Sequence, residues 1–306
     1  KNMDNKVGVV RKVFIKIYFY FFNKIIFRDK YGLSYYLWSN TRPIGTYERG
    51  VRTDDETLLQ LSLKIIDILN KNKKNPLVCF DVGGFIGVIT LTMLKALRGN
   101  GIVHIFEPVR ESYHRICDNL KLNNHANAVV NNFAIADYSG LGLQNVTTES
   151  GSDFLQKLQD NSGNMIGNDL SVRGYDLDVN NQQITLVMSL NKYMKICSID
   201  WVDLIKIDAE AVDHLVLSGG EEFFYDQKFG FILIEYVDGS ECGTELLSML
   251  TKANYKIFYM VRNSGKLVTN LDNYPSDHVS CLNIMAVSSL VESNVLDELL
   301  QDTLIH

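Results

Sequence analysis

The sequence has no C-x-x-C pair. Its five cysteines, Cys79, Cys117, Cys197, Cys242 and Cys281, are scattered and odd in number, which argues against a disulfide framework and for a reduced, cytosolic setting. The six histidines show no metal-ligand spacing, so zinc is not expected. Positive charge is not in excess: 30 Lys and Arg against 36 Asp and Glu leave a formal charge of −6. With no basic stripe interleaved with aromatics, this argues against a nucleic-acid partner, whose phosphates need a basic surface. No apolar run reaches the roughly 20 residues that span a bilayer. The nearest approach, Val13 to Phe27, is interrupted by Lys16, Asn23 and Lys24 and is followed by no small-residue cleavage site. There is no internal repeat, and the absence of Met at position 1 fits a trimmed or incomplete start.

What is present is enough apolar material, 46% of 306 residues, for one large domain or a domain with a subdomain. The basic start (Lys1, Lys6, Arg11, Lys12, Lys16, Lys24 and Arg28 against Asp4 alone) encloses the aromatic run 13–27. Two readings stand for that run: a helix packed on the domain or on a second subunit as in a homodimer, or an interfacial helix in peripheral contact with a membrane. Residues 28–57 read as a hairpin and loop, so 1–57 is expected to be an N-terminal extension. The main domain is then 58–290, with a loop insertion at about 138–196, and 291–306 a C-terminal helix.

The organising stretch is 77–107. An apolar run ends at Asp81, a turn carries Gly83, Gly84 and Gly87, an apolar helix runs from Val88 to Leu97, and a second apolar run ends at Glu107. This is a βαβ unit with a carboxylate at the tip of each strand. Glycine recurs because the turn bends sharply and brings backbone close to a ligand. Glu107 lies 20 residues past Gly87, the separation at which the second strand offers an acid to the hydroxyls of a ribose. The spacing departs from the dinucleotide fingerprint, since G-x-G-x-x-G counted from Gly83 puts Phe85 and Val88 at glycine positions. The D-x-G-x-x-x-G pattern from Asp81 lacks the open backbone that a pyrophosphate needs and suits the ammonium of a methionine moiety. S-adenosylmethionine is therefore favoured over NAD.

These residues resemble the FkbM-type S-adenosylmethionine-dependent methyltransferases. The resemblance rests on Phe80 to Gly87, Phe106-Glu107-Pro108, Asn132 to Asp137, and Val202 to Glu210 (V-D-L-I-K-I-D-A-E), and covers roughly residues 45–290. It implies a Rossmann-like α/β fold, a doubly wound, mostly parallel seven-stranded sheet. It also implies that Asp81, Gly83, Gly84, Phe85, Gly87 and Glu107 bind the cofactor. Tyr47 and Glu48 resemble an upstream Tyr-Glu pair of the family and either line the cofactor cleft or form a surface turn. Asn132 and Phe133, at the tip of the third strand, either edge the adenine or are a turn residue beside a core ring. The family commonly has Asn where this chain has Phe85 and Gly where it has Ala211.

Asp81, Glu107, Asp208 and Glu235 are expected at four strand tips, where ligands of open α/β sheets sit. Asp208 is expected as proton acceptor or ion ligand, and Glu210 as a substrate or cofactor contact. The plainer reading makes both helix-capping carboxylates. Lys206 is expected to reach an acid from inside its strand, and His214 either faces the same mouth or the surface. The expected activity is O-methylation of a small-molecule or glycan acceptor, a sugar, glycan precursor or secondary metabolite. A divalent metal is compatible with this chemistry but no ligands are assigned to one. The competing functions are a nucleotide-dependent oxidoreductase and a non-catalytic binding domain.

Overall fold

A computed structural model of the protein describes residues 24–38, 53–145, 155–157, 182–209, 213–262, 264–275 and 281–305. Tyr47, Glu48, Glu210, Ala211 and residues 13–23 lie outside them. The first element is a hairpin, β1 (Lys24–Arg28) antiparallel to β2 (Ser34–Trp38). Asp29 shapes its turn by accepting the N–H groups of Tyr31 and Leu33, both at 2.9 Å. Lys24 to Phe27, expected as the end of an aromatic helix, is thus a strand. Ile25, Ile26 and Phe27 favour a pleated backbone, and β2 supplies the ladder.

Helix α1 (Thr53–Asn72) precedes β3 (Leu77–Val82), α2 (Val88–Leu97), β4 (Gly101–Phe106), α3 (Arg110–Leu122) and β5 (Ala128–Asn131). Next come β6 (Ala134–Ile135), β7 (Gly140–Asn145), β8 (Leu155–Lys157) and β9 (Gln182–Met188), which form a separate sheet in the order β6-β9-β7-β8. Helix α4 (Leu190–Cys197) leads into β10 (Val202–Ile207). The chain then makes α5 (Asp213–Ser218), α6 (Glu221–Tyr225), β11 (Phe229–Val237), α7 (Glu241–Lys252), β12 (Lys256–Val261), β13 (Lys266–Val268), β14 (Cys281–Val287) and α8 (Ser293–Thr303).

The main sheet has the order β13-β12-β14-β11-β10-β3-β4-β5. Strands β5, β4, β3, β10 and β11 are parallel, and β14 enters antiparallel between β11 and β12. This is the expected α/β doubly wound sheet, with eight strands among the described residues where seven were expected. The addition is β13, a three-residue edge strand that pairs only with β12 among the described strands. Three residues at an edge carry too little periodicity to be read as a strand.

Burial alternates with the pleat. Leu204, Phe231 and Leu233 join α1, α2, α3 and α8 in one core, while Ile205, Ile232 and Ile234 join α4 to α7 in the other. Covering both faces leaves the strand tips as the place where polar side chains converge. The order reverses between β10 and β3, so the crevice lies at their carboxyl ends.

Candidate active site at the β3 and β10 tips

The turn after β3 is held from three sides. Gly83 and Gly84 donate to the Phe106 carbonyl at 2.9 and 3.3 Å, and Gly87 donates to the Gly84 carbonyl at 2.8 Å. Gly83 has φ +77, and a Cβ there would lie 1.8 Å from the carbonyl oxygen of Asp208. Backbone of the turn therefore rests directly on backbone at the β10 tip. Phe85 has φ 49, a left-handed conformation that costs an ordinary L-residue about 1–2 kcal/mol and that Asn tolerates better. Its N–H donates to Glu107 Oε2 at 2.7 Å, and a bond to a charged acceptor contributes about 1.5–3 kcal/mol, enough to offset the strain. Glu107 is buried, and its Oε1 accepts the Val109 N–H at 2.8 Å. Two backbone bonds thus fix its carboxylate beside the turn.

Asp81 is fully buried beneath the turn. Its Oδ2 accepts the Thr90 hydroxyl at 2.5 Å and its Oδ1 lies 3.3 Å from Lys206 Nζ. Lys206, also buried, donates to the carbonyls of Gly83 at 2.7 Å and Val82 at 3.2 Å and stands 3.6 Å from Asp208 Oδ2. The expected reach of Lys206 to an acid is present twice. Its ammonium ties the tip of β3 to the carboxylate following β10. Asp208 is 44% exposed, which leaves it able to meet a molecule from solvent.

Asp213 was not singled out by the sequence. It sits in the first turn of α5, buried, and its Oδ1 accepts the Ala209 N–H at 2.7 Å. Burial, then the Asp208 and Glu235 carboxylates, push its carboxyl up to about 7, against the pull of the Ala209 bond. Between its ordinary 3.8 and about 7 the native carboxyl keeps a proton that the unfolded chain has released. The native state binds more protons there, so this group's contribution to stability is lost as pH rises through that window. Asp213→Asn should remove the loss. Urea denaturation at pH 4 and pH 7.5 should show the variant gaining on the parent by a few kcal/mol at the higher pH.

Glu235 lies inside β11, because pairing with β14 continues to Val237 and Cys281. It accepts the Cys281 thiol at 2.9 Å, and burial, with Glu235, pushes that thiol up to about 12. Asn132 Nδ2 donates to the carbonyls of Glu107 and Pro108 at 2.9 and 3.1 Å, so its amide braces the loop after β4. Phe133 packs on Phe106 and Tyr193 with ring centroids 5.8 and 6.0 Å apart. His214 Nε2 lies 4.0 Å from Glu245 of α7. No group of three or more ligating side chains among the described residues could hold a metal ion. At the opposite, amino-terminal edge of the sheet is a cavity of about 250 Å³. The Asp203 carboxylate on its wall accepts from the Val78 N–H, the Trp201 indole N–H and Lys73.

Residues 81–257, more than half of the chain, match the Methyltransferase FkbM domain family. The chain belongs to that family. Membership identifies residues 81–257 as a methyltransferase domain of the S-adenosylmethionine-dependent class. No curated protein matches the chain. Among solved structures, the methyltransferase FkbM of Methylobacillus flagellatus KT is 12% identical with a TM-score of 0.42, covering 69% of this chain and 43% of its own. This chain thus spans less than half the length of that relative. A SAM-dependent methyltransferase from Agrobacterium tumefaciens is 10% identical with a TM-score of 0.49, covering 87% and 70%. M. jannaschii TYW2, solved with AdoMet, is 15% identical with a TM-score of 0.41, covering 87% and 85%.

The FkbM domain's cofactor fits the residues present. A carboxylate fixed beside the turn, as Glu107 is by the Phe85 and Val109 N–H groups, keeps acceptor lone pairs of the kind that suit a ribose diol. The Gly83 contact seats the turn on the β10 tip, so the backbone beside that carboxylate is held in one position. No described helix is long and apolar enough to cross a membrane.

Proposed function

We propose that the chain is an O-methyltransferase acting on a hydroxyl of a sugar, glycan precursor or secondary metabolite. The observation that carries this reading is the half-exposed Asp208 carboxylate, set beside the turn after β3 and linked to it by Lys206. Glu107 receives the ribose, and Gly83, Gly84, Phe85 and Gly87 form the wall against which the donor lies. S-adenosylmethionine supplies an electrophilic methyl group on a sulfonium. The chain's own work is to align the acceptor oxygen with that carbon, exclude water and take the proton the hydroxyl must lose. Asp208 accepts that proton. Lys206 keeps the accepting carboxylate in register with the turn. Tyr47, Glu48 and Glu210 are proposed to complete the cleft, with Glu210 touching the acceptor.

The test is incubation of the purified chain with methyl-labelled S-adenosylmethionine and a panel of hydroxyl-bearing glycans and small metabolites, with the labelled product located by mass spectrometry. Label on an oxygen supports the reading. Label only on nitrogen, carbon or RNA, or no transfer with the donor bound, contradicts it.

A further inference from the structure

We propose that Asn119 is a positioning residue for methyl-donor binding: its carboxamide clamps the strained turn after β3, and the N-terminal hairpin dictates which way that carboxamide faces. The inference rests on the reading of residues 83–87 as the donor's wall.

Asn119 is completely buried on α3. Its Nδ2 donates to the Ile86 carbonyl at 2.8 Å, and its Oδ1 accepts the Tyr36 N–H of β2 at 2.7 Å. Ile86 stands between the two left-handed residues of the turn, Phe85 at φ 49 and Gly87 at φ 87. Glu107 holds the strained peptide through the Phe85 N–H, and Asn119 holds it one residue on. Strained backbone persists where its surroundings over-determine it, and these two side chains supply that constraint, Glu107 from the end of β4 and Asn119 from α3.

The hairpin enters because both partners of Asn119 are backbone groups that cannot exchange roles. Tyr36 offers only a donor and Ile86 only an acceptor, so a flipped carboxamide would oppose N–H to N–H and oxygen to oxygen. Leaving both buried groups unmatched is unfavourable, so one orientation of the carboxamide is held. One helical turn on, Asn123 repeats the arrangement, accepting the Ser34 N–H at 2.9 Å and donating to the Ser34 carbonyl at 2.6 Å. Two strand residues rise about 6.7 Å and four helical residues about 6 Å, so β2 and α3 stay in step. Strand numbers rise as helix numbers fall. Strand β2 therefore runs toward the start of α3, which follows Glu107 at the mouth of the site. The N-terminal hairpin is in this way wired to the donor turn through one side chain.

The test uses the full chain, titrated calorimetrically with S-adenosylhomocysteine, together with deuterium exchange over residues 80–90. Asn119→Asp keeps the volume and the acceptor for Tyr36 and, titrated at a pH high enough to ionise it, cannot donate to Ile86, whereas its protonated form can. Tyr36→Pro removes the N–H that orients the amide and changes no residue of the turn or of α3. Asn119→Asp, ionised, is expected to weaken binding about 10–100-fold, the effect of one buried polar group left unmatched, with faster exchange in the turn. Tyr36→Pro should shift both readouts in the same direction by less. A folded Asn119→Asp protein that melts lower yet binds as the parent does would show a structural rivet and overturn the proposal. If Asn119→Asp does not fold, parental affinity in Tyr36→Pro overturns it. A parent chain that binds no S-adenosylhomocysteine overturns the reading of the donor wall itself, and this proposal with it.

Discussion

Replacing Asp208 with Asn is expected to lower kcat by about 10²–10⁴-fold, the usual worth of a positioned general base, with S-adenosylhomocysteine affinity nearly unchanged. Asn preserves the shape of the side chain, so packing at the β10 tip is retained while the proton acceptor and the charge that faces Lys206 are lost. Asp208 is the described carboxylate best placed for this part. Asp81 is buried against Thr90 and Lys206, Glu107 is committed to the N–H groups of Phe85 and Val109, and Asp213 holds its proton to about 7. Steady-state kinetics with an identified acceptor would decide. An unchanged kcat with a raised KM would mean that Asp208 binds the acceptor uniformly and takes no proton.

The second large effect is expected from Gly83→Ala. The added methyl would meet the Asp208 carbonyl at 1.8 Å at a φ of +77, so overpacking of about 1–3 kcal/mol adds to left-handed strain of about 1–2 kcal/mol. The obstruction is backbone at the crevice and cannot rotate away. Denaturation midpoints should fall steeply, and whatever folds should bind no donor. Gly239 provides the control: its φ is +71 but nothing lies within 4 Å of an added Cβ. Gly239→Ala should show the strain alone, about 1–2 kcal/mol, with donor binding intact. Equal losses in the two variants would mean that the contact between the turn and β10 matters little.

Much of this frame was legible because its signals are local. A β-strand that ends in an acid, three glycines and an apolar helix occupy 21 consecutive residues, 77–97, and strand–helix alternation then dictates the order of the sheet. The misreadings come from segments whose conformation is decided elsewhere. Helix α4 falls almost wholly within 138–196, the stretch expected as a loop insertion, because eight residues with Leu190, Tyr193 and Met194 as the buried stripe are a weak periodic signal. Those positions matter once folded. The Tyr193 hydroxyl lies 2.7 Å from His104 Nδ1, and burial holds that imidazole down to about 4, neutral in the core.

At the strand tips, the places of Glu107 and the glycines were legible from spacing and that of Asp208 from the apolar strand run it follows and the motif it belongs to, whereas the bonds of Asn119 and the burial of Asp213 were not. The Asn119 bonds reach across 83 and 33 residues of chain, so no local pattern announces them. One signal was available: Ser112, Arg115, Ile116, Asn119 and Leu120 make up the buried face of α3. A polar side chain on such a face has to find partners, and the place to look was the nearest turn with unpaired carbonyls. Asp213 is harder still, since its character comes from burial against Asp208 and Glu235.

The most direct measurement is calorimetric titration of the full chain with S-adenosylhomocysteine and, separately, with NAD, repeated on Glu107→Ala. One equivalent of S-adenosylhomocysteine binding to the parent, lost in the variant, with no heat from NAD, is the predicted result. Binding of NAD, or S-adenosylhomocysteine affinity indifferent to Glu107, would show that the turn after β3 does not hold an adenosyl methyl donor.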